Sequence, residues 1–406
     1  MKKLRICMIT TFYPPYHAGG CGIHVYQLSN LLARAGHRVE VIHCIDSFYV
    51  KVKEKRGGEY PHHKNVLIHG LKSGLGKLSP LSNYLFGYPV VTAGKIRKIL
   101  DQGFDVIHYH NISLLGGLSV LGLAKAVKLF TLHTYWLFCP THYLWKFKRE
   151  VCRKKDCLTC QLSYGLLPQL WRYTNLRDEM LSKIDALIMP SQFMRDKHLE
   201  EGIKMRMDCI PYFVFPNEVS NADNWEKKLG KYRPFFLFVA RIEPYKGAQV
   251  AVRAFRRKKG KSRLLMVGSG SSMDSVRALA GTDPRIVFLG HVLRDKLSWL
   301  YQNAVALLVP SLWPEMGNQA VLDAMSCGTP VIAAENGCLT ELVGENEAGI
   351  LYRSEDELVA GLDAMEEVSL RSKYSDKACA AYNEHYTPHK FLERYYQLIE
   401  EFLGKR

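Results

Sequence analysis

The chain reads as an α/β protein of two domains, each built on a doubly wound parallel sheet. Three observations predict this. Apolar runs of strand length end in glycine-bearing loops that lead into stretches of helical spacing, the order of a βαβ unit. That order begins at Leu4 and begins again at Phe235. A length of 406 residues suits two domains of ordinary size. We place the first domain at 1–215 and the second at 216–384, with a polar linker between Pro211 and Arg233 that is punctuated by Pro216 and Asn217.

In the first domain, Leu4–Thr11 is an apolar strand that runs into FYPPYHAGGCG, a loop containing Gly19, Gly20 and Gly22. His24–Arg34 has the spacing of an amphipathic helix, Gly36 ends it, and Arg38–Cys44 is the next strand. A glycine loop at the end of a first strand lies where open α/β sheets bind ligands. The loop is not a G-x-G-x-x-G, and no acidic residue is placed for a dinucleotide ribose. Residues 51–90 are basic and rich in glycine and proline, and are expected to be irregular. Asp105–His110 and Val127–His133 are further strands, the first ending in His108, His110 and Asn111, the second delivering His133 to a loop. Such histidines point at the crevice or are satisfied in the core.

Cys139, Cys152, Cys157 and Cys160 follow in a basic loop, where only the last pair has C-x2-C spacing. They are either a structural four-cysteine zinc site or reduced thiols. Trp136, Trp145, Phe147, Lys146, Lys148 and Arg149 interleave rings and cations there, a mixture that suits a membrane interface.

The second domain opens with the strand Phe235–Ala240 and then RIEPYKG, which sets Arg241 and Lys246 beside a helix start. Two such cations suit a pyrophosphate, or are simply solvated. Leu264–Gly270, containing Gly268, and Ile286–Gly290 are the next strands. The run AVALLVP (304–310) leads into SLWPEMGNQAVLDAM, where Gly317, Asn318, Gln319 and Ala320 approach a helix start whose first N–H groups lack internal partners. Glu315 and Asp323 bracket this anion seat and are better suited to sugar hydroxyls than to the phosphate itself; the plainer alternative is a loop carboxylate and a helix-surface one. Val331–Ala334 is the last strand, with Glu335, Asn336 and Gly337 at its end, and Tyr382–Leu403 is an amphipathic helix.

Charge is uneven. Residues 1–215 hold 30 Lys and Arg against 15 Asp and Glu, whereas 216–406 hold 25 against 24. The first half therefore favours an anionic partner: phospholipid headgroups, a pyrophosphate-linked acceptor or nucleic acid. No apolar run reaches membrane-spanning length, and the N-terminus lacks a signal-peptide cleavage pattern. We expect a cytoplasmic protein attached to the cytoplasmic membrane face, with its eleven cysteines mostly reduced.

Six segments in order carry a resemblance over nearly the whole length: GGCGIHVYQLSNLLARAGHRVEV, His133, VARIEPYKG, the VGSG turn, FLGHV and PEMGNQAVLDAMSCGTPVI. The chain resembles the retaining glycosyltransferases of family 4. The resemblance implies the GT-B fold, two Rossmann-like domains facing across a cleft, with helix 385–406 packing back on the first. It implies a UDP- or GDP-sugar donor, a glycan or lipid-linked acceptor, no metal for chemistry and no nucleic acid. It puts Arg241 and Lys246 on the donor diphosphate, Gly19 and Gly20 near that diphosphate, and His133 at the transferred sugar or acceptor hydroxyl. Glu315 would bind the sugar hydroxyls, Gly317 to Ala320 the phosphate, and Asp323, where the family usually has Glu, the ribose. His291 and Val292 lie where the base is met.

Retaining glycosidases use two carboxylates about 5 Å apart, and no such pair is evident. The resemblance implies front-face attack, in which the departing diphosphate accepts the acceptor's proton. A sugar-nucleotide epimerase of the same fold, a glycogen phosphorylase, which would need a pyridoxal lysine and a much longer chain, and a nucleic-acid-binding protein are the rival readings.

Overall fold

The computed structural model describes residues 2–17, 19–51, 59–216, 222–292 and 294–405. Asn217 of the expected linker, and 52–58 of the basic stretch, lie outside the described residues. The chain divides into two compact units. One comprises Met1–His142, Asp156–Ile210 and Leu392–Arg406; the other comprises Tyr143–Lys155 and Pro211–Phe391.

The first unit is a seven-stranded parallel sheet. Its strands are β1 (Arg5–Ile9), β2 (Arg38–Cys44), β3 (Val66–Leu71), β4 (Val106–Tyr109), β5 (Val127–Thr131), β6 (Ala186–Met189) and β7 (Met207–Cys209). Their spatial order is β3-β2-β1-β4-β5-β6-β7. Order therefore reverses between β1 and β4, and open α/β sheets take ligands outside the carboxyl ends of such a strand pair. After Arg5, β1 is apolar because both its faces are covered, and β4 and β5 are buried along their whole length. The helix Gly20–Arg34 buries Val25, Leu28 and Leu32 at helical spacing. Burying each such side chain is worth about 1.5–3 kcal/mol.

The second unit repeats the plan with six parallel strands: β8 (Phe235–Val239), β9 (Arg263–Val267), β10 (Ile286–Gly290), β11 (Leu307–Val309), β12 (Val331–Ala334) and β13 (Gly349–Tyr352). The order is β10-β9-β8-β11-β12-β13, with the reversal between β8 and β11. Alternate residues of one strand enter two different cores. Phe235 and Leu237 join one, Phe236 and Phe238 the other, and Leu307 and Leu308 divide likewise. A strand that feeds two cores must be continuously apolar, which is why FFLFV shows no alternation.

Of the stretch 51–90 expected to be irregular, the described residues 59–90 contain β3 and the helix Leu78–Phe86. β3 is an edge strand with mixed exposure, so it lacks the apolar run that marks the central strands. The helix Pro388–Leu403 buries Phe391, Tyr395, Leu398 and Ile399. In the first unit Tyr395 Oη lies 3.0 Å from His108 Nδ1, and Tyr396 Oη lies 3.0 Å from His37 Nε2. No helix among the described residues is long and apolar enough to cross a membrane.

Candidate active site

In the second unit, the carboxyl ends of β8 and β11 enclose a cavity of about 140 Å³, lined among others by Arg241, Lys246, Pro310, Ser311, Glu315 and Asn318. Backbone close approach makes this junction tight. Gly247 has φ +73°, and a Cβ there would meet the Pro310 carbonyl. Gly268 has φ +133°, and a Cβ there would meet the Ala240 carbonyl. Only glycine supplies these conformations without a clash.

Glu315 is at the centre of the polar network. Its Oε1 accepts from Lys246 Nζ at 2.6 Å and from Ser311 Oγ at 2.5 Å. Its side chain is 2 % exposed and that of Lys246 17 %. The loop carrying Glu315 is clamped from the end of β12: Cys338 N–H donates to Glu315 O at 2.8 Å, and Asn336 Nδ2 donates to Ser311 O at 2.6 Å. Gly337, with φ +59°, lets this segment pass against the Glu315 backbone.

Arg241 is held by phenols. Its Nη2 donates to Tyr245 Oη at 2.6 Å, and Tyr143 also hydrogen-bonds it. Tyr143 stacks on Tyr245 with ring centroids 5.3 Å apart, and Trp313 meets both rings edge-on or tilted. Lys246 Nζ lies 4.8 Å from the Trp313 centroid. Burial, then the Tyr143 phenol, pushes the Tyr245 hydroxyl up, so it stays a neutral hydrogen-bonding group. Two cations and one carboxylate thus share a partly dry pocket, and three rings pack against the cations.

Asn318 caps the helix Gln319–Ser326, its Oδ1 accepting from Val321 N–H at 3.2 Å. The N–H groups of Gln319 and Ala320 have no acceptor inside the helix. Three buried polar atoms of this region, Gln319 Nε2, Trp313 Nε1 and Asn336 Oδ1, have no partner among the described residues. Buried orphans of this kind cost free energy unless a ligand or water meets them. Gly317 precedes the cap in the loop. Asp323 is buried on the helix, where it lies electrostatically beside Tyr382, whose hydroxyl burial first, and Asp323 next, pushes up to about 12. His291 is exposed and Val292 half-buried after β10. Of the donor-side residues expected from sequence, the cavity wall collects Arg241, Lys246, Glu315 and Asn318 but not Gly268, His291, Val292, Gly317, Gln319, Ala320 or Asp323.

In the first unit, Gly19 has φ +89° and precedes the helix that starts at Gly20, with open space where a Cβ would stand. His133 follows β5. Its Nε2 lies 3.0 Å from His110 Nδ1, its ring stacks on His110, and His24 lies 5.5 Å away between centroids. His108 continues the cluster, 4.1 Å from the His110 centroid and 2.7 Å, at Nε2, from Thr131 Oγ1. Burial, then mutual repulsion, holds His110 and His133 well below the ordinary imidazole range; His24 and His108 fall to about 3. All four are neutral at pH 7. His110 Nε2 is buried without a partner among the described residues.

The expected zinc site is corrected. Among the described residues no group of three or more His, Cys, Asp or Glu side chains is placed to hold a metal ion. Cys152 belongs to the second unit, and Cys139, Cys157 and Cys160 to the first. Cys157 and Cys160 lie on a helix, Cys157–Ser163, instead of the knuckle turn of a metal clip. Arg172, a guanidinium pushed down to about 10 by burial, sits against Cys139 and Cys157, where a dication would be repelled. The membrane stretch is corrected in part too: Trp136 and Trp145 are core residues, each 5 % exposed.

Sequence reasoning missed Tyr143, Tyr245, Trp313 and Ser311. Tyr245 and Trp313 stand inside segments already singled out, but aromatic residues beside cations carry no periodic signal.

The family descriptions "Glycosyltransferase Family 4" and "Glycosyl transferases group 1" match residues 18–217 and 221–381. An uncharacterized glycosyltransferase of Methanocaldococcus jannaschii is 25 % identical over 379 residues, 89 % of this chain and 88 % of that protein. Among solved structures, sucrose-phosphate synthase from Thermosynechococcus elongatus superposes with a TM-score of 0.73 at 17 % identity, covering all of both chains. HepE of Anabaena in complex with UDP superposes with a TM-score of 0.69 at 18 % identity, again over all of both chains.

Proposed function

We propose that this chain, which belongs to the group 1, family 4 glycosyltransferases and has the GT-B fold, is a retaining enzyme moving a sugar from a UDP- or GDP-sugar to a hydroxyl of a lipid-linked or cell-surface glycan. The observation that carries the reading is the pocket at the β8–β11 reversal, where Arg241 and Lys246 meet Glu315 and the start of the helix Gln319–Ser326. Two cations, unpaired helix N–H groups and orphaned donors suit a diphosphate. Solved relatives that bind UDP and UDP-glucose support a nucleotide-sugar donor.

On this reading the diphosphate sits on Arg241, Lys246 and the N–H groups of Gly317 to Ala320. Lys246 then exchanges part of its bond to Glu315 for phosphate oxygens, and Glu315 turns to the sugar hydroxyls. Asp323 takes the ribose, and Gly268, His291 and Val292 the nucleoside. Gly19 and Gly20 give the first unit's backbone access to anionic oxygen, and a neutral His133 accepts or donates a hydrogen bond at the sugar or acceptor. The charge on the leaving diphosphate grows as the glycosidic bond lengthens, and preorganised cations stabilise it without reorganising. No nucleophilic carboxylate is needed. The diphosphate takes the acceptor's proton on the same face, and the product keeps the donor's anomeric configuration.

A lipid-linked acceptor requires the enzyme to work at a membrane surface, and the basic first half supports peripheral attachment to anionic lipid on the cytoplasmic face. Thermal-shift screening against UDP-, GDP- and ADP-sugars is the test, since a ligand that binds only the folded state raises Tm. A rise of several degrees with one donor is expected; no rise with any nucleotide sugar would sink the reading.

A further inference from the structure

Helices of globular proteins turn apolar residues inward. The Leu78–Phe86 helix does the opposite. It buries Ser79, Pro80 and Asn83, and Asn83 Nδ2 is satisfied by the Leu114 carbonyl at 2.9 Å. It exposes Leu78 (63 %), Leu81 and Phe86 (51 %), and its flanks expose Leu75, Tyr88 and Val90 (65 %). Single exposed apolar residues are ordinary, but here six large ones are exposed within sixteen residues, on one short helix and its flanks, and together they make the apolar patch of this face. The helix is firmly seated. Gly87 N–H closes on Asn83 O at 2.9 Å, and the Gly117 backbone packs so closely on Gly87 that a Cβ would not fit. The polar residues are the anchored side, so the apolar side is the one left to a partner.

The charge around the patch has one sign. Residues 60–100 contain Lys64, Lys72, Lys77, Lys95, Arg97 and Lys98, and no Asp or Glu. All six cations are exposed. A two-fold contact between copies would bring these cations together, which opposes self-association. A soluble glycan can stack a sugar face on an aromatic ring but offers nothing for the four exposed aliphatic side chains, Leu75, Leu78, Leu81 and Val90. An anionic bilayer suits both features: apolar side chains enter the acyl boundary while lysines stay among the headgroups.

We propose that the face centred on the Leu78–Phe86 helix is the membrane-docking surface of the protein, and that its partner is an anionic phospholipid bilayer. This rests on the peripheral-attachment part of the reading above and moves the contact away from the Trp145–Lys155 stretch, whose tryptophan is buried. The side chains involved lie outside the donor pocket, so docking and donor binding are separable.

The test is co-sedimentation of the full chain with vesicles of phosphatidylglycerol and phosphatidylcholine in equal parts, beside vesicles of phosphatidylcholine alone. The wild type binds the anionic vesicles, and binding weakens as salt rises. Leu78→Ser/Phe86→Ser removes two exposed apolar side chains without touching the core and lowers vesicle affinity at least tenfold; Lys72→Glu/Lys77→Glu lowers it and flattens the salt dependence. Three results would overturn the proposal: no binding by the wild type, equal binding by the Leu78/Phe86 variant, or sedimentation velocity showing a wild-type dimer that the same variant dissolves. The donor thermal shift is measured on both proteins. Loss of the shift in the wild type refutes the enzymatic reading alone, and an equal shift in both proteins with unequal vesicle binding isolates the docking face.

Discussion

Replacing Glu315 with glutamine keeps the shape of the side chain and removes one charge from the middle of the donor pocket. Two losses follow. The charge-assisted bond from Lys246 at 2.6 Å becomes a bond to a neutral oxygen, while Ser311 Oγ keeps an acceptor. Charged bonds are roughly twice as strong as neutral ones, so folding loses about 1–2 kcal/mol, a few degrees in Tm. The second loss is kinetic. A carboxylate about 5 Å from an oxocarbenium-like carbon contributes roughly 3 kcal/mol at an effective dielectric of about 20, which is about a hundredfold in rate. Glu315→Gln should therefore lower kcat about 100-fold while donor KM moves little, because the charge it lacks matters only when the cation develops. Steady-state kinetics across donor concentration, with Tm on the same sample, separates the two effects. Partnering the change with Lys246→Met gives a cycle in which the stability losses are not additive, since the two groups share one bond. A kcat within threefold of wild type with a raised KM would refute the assignment, the more so if Asp323→Asn abolished turnover.

Asp323→Asn should act on binding instead: the ribose is remote from the reacting carbon, so donor KM rises about 10- to 100-fold and kcat stays near wild type. Gly247→Ala forces a Cβ against the Pro310 carbonyl at φ +73°, and chemical denaturation should show a loss of about 3 kcal/mol or more. The four neutral histidines make stability depend on pH. Their folded pKa values lie below the unfolded value of about 6.5, so the unfolded chain binds more protons in acid. The stabilisation is complete above pH ~6.5 and is lost as pH falls through the lowered folded values, which are about 3 for His24 and His108. Urea unfolding at pH 7, 6 and 5 checks this; a flat profile contradicts it.

The strands that feed two cores were legible in sequence because they must be apolar at every position; FFLFV and AVALLVP have few other readings. Glycines at forced backbone positions were legible for a similar reason. Gly247 and Gly268 answer to a carbonyl that leaves no room, and that constraint is written in residue type. Arg241 and Lys246 were legible as two cations between a strand end and a helix start, and Glu315 as a carboxylate in a glycine-bearing loop; the structure brings all three to the point where sheet order reverses. What stayed hidden depends on pairings distant in sequence. Nothing near Glu315 tells that its partner is Lys246, and nothing near Tyr143 tells that it reaches Arg241. The helix Leu78–Phe86 was hidden because its pattern runs opposite to the rule by which helices are read. The cysteines misled because C-x2-C spacing is satisfied equally well by one turn of a helix.

The first unit is not one stretch of chain: residues 392–406 belong to it, although 181 residues are synthesised between Ile210 and Leu392. At roughly 5–20 residues per second, translation leaves the unit incomplete for about 10 to 40 seconds. Throughout that interval His108 waits for the Tyr395 hydroxyl, and Arg206 for Glu401. The apolar seat of Tyr395, Leu398 and Ile399 meanwhile stands open to solvent. The first unit therefore cannot complete its packing until residues 392–406 are made.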